Sequence, residues 1–101
     1  MNLSMINQAR QLKAKLDEAQ KELAKIEVVA EAGRGAVRVT ANGQQQILSI
    51  TISPDVMDSN NPKQLERLIL KAITDAQAKS QKVANKRMKS LTGGIKIPGL
   101  F

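Results

Sequence analysis

Apolar residues recur in steps of four and three at the start of the chain: Met5, Ala9, Leu12, Leu16, Ala19, Leu23 and Ile26. This is an a/d seam held over about three heptads, and no glycine or proline interrupts it. The pattern predicts a long helix with a narrow apolar stripe. Such a stripe suits helix pairing, because a helix lying across a broad core carries a wider apolar face. Two uses of the seam stay open: pairing with a second copy, and packing against the chain's own sheet.

From Glu27 the pattern shortens into runs rich in β-branched residues. Val28-Val29 leads to Gly33-Arg34-Gly35; Val37 and Val39 alternate with Arg38 and Thr40 up to Asn42-Gly43; Leu48, Ile50 and Ile52 alternate with Ser49 and Thr51. Two turn signals therefore bound three strands. Asn-Gly between alternating segments predicts a two-residue type I′ hairpin, in which both central residues take positive φ. The register that follows sets Val37 opposite Leu48 and Val39 opposite Gln46, with Ile50 and Ile52 on the face of Leu48.

Ser53-Pro54-Asp55 ends the third strand, since proline cannot donate to a ladder. A second helix is expected to start between Asn60 and Pro62. Asn61 would cap it, Pro62 suits its first position, and Gln64 would complete a capping-box-like arrangement. Leu65, Leu68, Ile69, Ala72, Ile73 and Ala76 give this helix a face to cover the sheet. Past Asp75 the large apolar residues thin to Val83, Met88 and Leu91, so the helix is expected to outrun its core and stop at Thr92-Gly93-Gly94. Residues 92–101, with Ile95, Ile97, Leu100 and Phe101, read as an extended tail, docked or mobile. The fold class is α+β, in the order helix, three-stranded antiparallel meander, helix, as a single domain over residues 1–101.

Composition narrows the chemistry. A chain of 101 residues with no Trp or Tyr and a single Phe builds a small aliphatic core, which makes oligomerisation expected. With no Cys and no His there is no disulfide framework, Cys/His zinc site, cysteine nucleophile or histidine base. The nine acidic residues show no paired or metal-binding spacing, and Gly33-x-Gly35 and Gly93-Gly94 are too short for phosphate loops. A non-enzymatic protein with no cofactor, no metal and no small-molecule substrate is expected. No segment reads as a signal peptide or reaches the ~20 apolar residues of a membrane span, which places the protein in the cytoplasm.

Charge supplies the functional lead. After Asp75 no acidic side chain follows, while Lys79, Lys82, Lys86, Arg87, Lys89 and Lys96 do, in a chain of formal net charge +7. Lys79, Lys82, Lys86 and Lys89 share one helical stripe, flanked by Arg87. Arg10, Lys13 and Lys15 precede the first acid, Asp17, and would join the same field if the first helix lies near this arm. Segregated positive charge is the footprint of a polyanion binder, although a basic run also serves as a plain solvated face. Lysines act as flexible point charges suited to tracking phosphates, whereas reading guanine edges favours bidentate arginine. Single-strand binders use aromatic stacking platforms, and this chain has only Phe101, so duplex is the better substrate. Arg34, in its glycine-flanked turn, reads first as a solvated residue within reach of a phosphate, and Arg38, on the polar face of the second strand, reads as exposed or covered by a partner.

The stretch Gly35-Ala36-Val37-Arg38-Val39-Thr40-Ala41-Asn42-Gly43, then Ile50-Thr51-Ile52-Ser53-Pro54, Leu65-Glu66-Arg67-Leu68-Ile69 with Ala72 and Asp75-Ala76, and a closing Pro98-Gly99-Leu100-Phe101, resembles the YbaB/EbfC family of bacterial nucleoid-associated proteins. The resemblance spans nearly the whole chain through the order and spacing of these segments. It implies an α-β-β-β-α subunit that forms a tight homodimer with tweezer-like paired helices and binds duplex DNA with little sequence preference, in the nucleoid. The opening Met1-Asn2-Leu3-Ser4 departs from the Gly- and Met-rich pattern frequent before the first helix in that family. A dimeric adaptor whose basic helix binds an acidic protein explains the same charge. Binding of the basic helix to a membrane surface is disfavoured by its small apolar face without Trp or Phe.

Overall fold

The computed structural model describes residues 3–92, and the expected tail beyond Thr92 lies outside the described residues. The elements are α1 (Leu3–Lys25), β1 (Glu27–Ala32), β2 (Val37–Asn42), β3 (Ile47–Ile52), a 3₁₀ turn at Pro54–Val56, and α2 (Pro62–Thr92). The strands form one antiparallel sheet in the order β1-β2-β3. This is the expected α-β-β-β-α order.

The core lies between α2 and the sheet. Ala30, Ala32, Val37, Val39 and Ala41 are buried against Ala72 and Ala76 of the helix. Alanine on both sides lets the helix axis approach the sheet closely, and Val28, Ile47, Leu65, Leu68, Ile69 and Ile73 close the margins. α2 covers β1 and β2. β3 is an edge strand with no buried residue, leaving Leu48 49% and Ile50 43% exposed.

The β2–β3 turn corrects the expected register. Val37 opposes Ile52 rather than Leu48, and Val39 opposes Ile50 rather than Gln46, with a bulge at Thr40/Ala41. The shift is an even number of residues, so the apolar side of β2 is unchanged. The turn is longer than two residues because Asn42 organises it with its side chain. The amide oxygen of Asn42 accepts from the backbone N–H groups of Gln44 (2.9 Å) and Gln46 (3.1 Å), and its amide nitrogen donates to Gln46 Oε1 (2.7 Å). The positive φ falls at Gln45, not at Asn42 or Gly43. Gly43 is required for a different reason: its N–H donates to the carbonyls of Leu23 (2.8 Å) and Ile26 (3.0 Å), and a Cβ there would lie 2.7 Å from the Leu23 oxygen.

That contact anchors the end of α1. The seam splits along its length: Ala19 and Leu23 are buried and Leu16 is half-buried, whereas Ala9 and Leu12 are exposed, as is Met5. Ile26 lies just past the helix and is 36% exposed. Its inner half therefore packs within the subunit. α1 touches α2 and, at its end, β2. Because α1 ends at the turn and α2 continues past it, both helices reach out beyond the sheet. The molecule measures 67 × 22 × 18 Å with a radius of gyration of 18.8 Å. A compact chain of this length would have about 13 Å.

Candidate nucleic-acid interface

α2 is positioned by one buried hydroxyl. Ser80 donates to the Asn42 carbonyl (2.7 Å) and accepts from the Gln45 N–H (2.9 Å), fixing the helix to the turn at the point where it leaves the sheet. A neighbouring lysine adds a second tie: Lys79 Nζ donates to the Val29 carbonyl at 2.7 Å. Lys79 and Lys82 line an open cleft of about 350 Å³ with Glu31, Asp75 and Ala78.

Beyond this junction the helix carries its cations outward. Lys79, Lys82, Lys86 and Lys89 are all exposed, at steps of three and four that place them on one side. Among the described residues, Lys82 and Lys86 make no ion pair. Arg10, Lys13 and Lys15 are exposed on α1, again without an ion pair among the described residues. Arg87 sits differently: its guanidinium pairs with Glu22 of α1, and its Nε is buried without a hydrogen-bond partner.

The two helices concentrate charge at one end. Residues 3–16 and 76–92 contain no acid and hold eight Lys or Arg, a local charge of +8. Residues 17–75 hold all nine acids and seven basic residues, a local charge of −2. This segment pairs part of its own charge, through Glu31–Arg38 (2.7 Å) on the sheet and Lys63–Glu66 (3.6 Å) and Lys71–Asp75 (3.2 Å) along the first half of α2. Arg38 is thus held by its cross-strand neighbour, and Arg34 is exposed at φ 57° in the β1–β2 turn.

Sequence reasoning did not single out the amides at the junction. Gln44 Nε2 donates to the Gln20 carbonyl (2.8 Å), Gln45 Nε2 donates to Gln81 Oε1, and Gln81 Nε2 donates to Asn85 Oδ1 (2.9 Å). Nothing in a run of glutamines announces a role until the turn places them between two helices. Glu22 was likewise visible only as one acid among several.

Among the described residues no group of three or more His, Cys, Asp or Glu is placed to hold a metal ion, and no helix is long and apolar enough to cross a membrane. The profile of the YbaB/EbfC DNA-binding family matches residues 1–95. A nucleoid-associated protein of Thermoanaerobacter pseudethanolicus is 40% identical over 97% of this chain and 88% of its own length. One from Chloroflexus aggregans is 44% identical over 96% of this chain and 95% of its own. A crystal structure of an uncharacterized Helicobacter pylori protein superposes with a TM-score of 0.69 over 92% of this chain and 95% of that one; at 17% identity it speaks to the fold alone. The acid-free helical arms, the meander that holds them and these relationships agree: the chain belongs to the YbaB/EbfC DNA-binding family.

Proposed function

We propose that this protein is a nucleoid-associated protein that binds duplex DNA as a homodimer, with low sequence preference, through lysine and arginine contacts to phosphates. The observation that carries this reading is the separation of +8 on the two helical arms from −2 on residues 17–75. A polyanion is drawn to the arms and repelled by the body, so the charge orients the encounter as well as strengthening it. Affinity comes from release of the counterions condensed on the DNA. Lys82, Lys86 and Lys89 on α2, with Arg10, Lys13 and Lys15 on α1, form the contact surface. Lys79 stands at its inner edge, already tied to β1.

Dimerisation is supported by the apolar surface a single subunit leaves open. The outer half of the α1 seam, with Met5, Ala9 and Leu12, and the β3 residues Leu48 and Ile50 are exposed. An uncovered edge strand and an uncovered helical stripe in one small chain are surfaces that a second copy would bury. A dimer doubles the arms and the number of phosphates met.

Competition tests the specificity claim. Unrelated random duplexes should displace a bound labelled duplex with nearly equal efficiency. A preference above about a thousandfold for one sequence, the low end for specific binders, would contradict it.

A further inference from the structure

We propose that Glu22 and Arg87 form a positioning pair, a strut between α1 and α2 that aligns their two basic rows, and that Arg87 serves DNA binding through this geometry instead of through a phosphate of its own. The inference rests on the phosphate-binding reading above. Arg87 lies seven residues after Ser80, two helical turns on, and therefore on the inward face that Ser80 uses to reach the turn, not on the face of Lys82 and Lys86. Its guanidinium is taken up by Glu22, its Nε is buried, and the two side chains are only 39% and 43% exposed. An arginine aimed at solvent phosphate would show the opposite geometry.

The arms need such a tie. The hydrogen bonds that join α1 to the β2–β3 turn fall at Gln20, Leu23 and, just beyond the helix, Ile26. Lys13 lies about 10 Å beyond Gln20 along the helix. A small rotation about the inner anchor is magnified there, and the row of Arg10, Lys13 and Lys15 swings relative to Lys82 and Lys86. Glu22 holds α1 from its side near the pivot, where Arg87 of α2 meets it. The acid at the edge of the basic surface thus orients that surface.

The sign of one substitution separates the alternatives. By charge alone, Glu22→Gln removes an acid beside DNA and tightens binding. Loss of the strut weakens binding instead, by about two- to fivefold. Titration of a random 24-base-pair duplex at several salt concentrations should show this weakening. Arg87→Gln should weaken binding by a similar factor while keeping the slope of log K against log salt, whereas a lost phosphate contact lowers that slope by about 0.9. The reversed pair, Glu22→Arg with Arg87→Glu, should recover most of the affinity.

A readout without DNA accompanies these. The chain has no cysteine, so spin labels can be placed at Ala14→Cys and Ser90→Cys, with labelled subunits diluted into unlabelled protein. The interarm distance distribution should broaden in Glu22→Gln and narrow again in the reversed pair. Tighter binding by Glu22→Gln, a slope lowered by nearly one in Arg87→Gln, or an unchanged distance distribution would each overturn the proposal. If the wild type binds no duplex, the phosphate-binding reading fails, and the label distances still decide whether the strut exists.

Discussion

The Ser80 hydroxyl, buried on α2, donates to the carbonyl of Asn42 in the β2–β3 turn at 2.7 Å. The same oxygen accepts from the Gln45 N–H at 2.9 Å, so one side chain bonds two backbone groups of the turn and fixes where the long helix crosses the sheet end. Ser80→Ala removes both bonds and leaves these two groups only their own contact, Gln45 N–H to the Asn42 carbonyl at 3.1 Å. A loss of about 1–3 kcal/mol in unfolding free energy is expected by urea denaturation. A change below about 0.5 kcal/mol would mean that the turn is held by other contacts.

Gly43→Ala tests the anchor of α1. The added methyl would meet the backbone oxygen of Leu23 at 2.7 Å, and backbone atoms cannot step aside as a flexible side chain can. Overpacking at such a site costs about 1–3 kcal/mol. Thermal melts should show the loss, and the Gly43–Leu23 hydrogen bond should open, visible as faster amide exchange at Gly43.

Most of the fold could be read from periodicity. The four-three spacing from Met5 to Ile26 gave the first helix, Pro62 gave the start of the second, and the two glycine-bearing turns gave the strands. The hairpin register could not be read, because Asn42-Gly43 has two possible uses. Asparagine can take positive φ, or its side chain can cap the N–H groups of the next residues. Glycine can take positive φ, or it can admit another backbone. The second use prevails for both, since the end of α1 presses on the turn. The basic rows were legible for the same reason as the helices: charge and spacing are properties of the sequence. The engagement of Lys79 with Val29 and of Arg87 with Glu22 joins residues fifty and sixty-five positions apart, and no local pattern encodes that.

The exposed β3 strand offers a test of dimerisation. Within an isolated subunit Ile50→Glu alters a residue 43% exposed that pairs with buried Val39, and should cost about 1 kcal/mol of stability, too little to unfold the subunit. If a second copy covers this strand, the buried charge weakens the dimer. Sedimentation equilibrium should then show a larger monomer fraction for the variant than for the wild type at equal concentration. Identical association by both proteins would remove β3 from the interface.

The ion pair on the sheet should matter little. Glu31 and Arg38 are cross-strand neighbours with side chains 43% and 58% exposed, so Arg38→Gln is expected to cost less than about 1 kcal/mol. Because Arg38 lies away from the arms, the salt slope of duplex binding should stay at the wild-type value.

The central claim is that the basic arm binds phosphate. Its most direct test is a titration of fluorescent random-sequence duplex at several salt concentrations, comparing the wild type with a variant in which Lys79, Lys82, Lys86 and Lys89 are all Gln. The wild type should bind with a steep negative slope of log K against log salt. The variant should keep its helical circular dichroism, lose affinity, and show a slope shallower by about 0.9 for each phosphate contact removed. Equal slopes for the two proteins, or no duplex binding by the wild type at low salt, would contradict it.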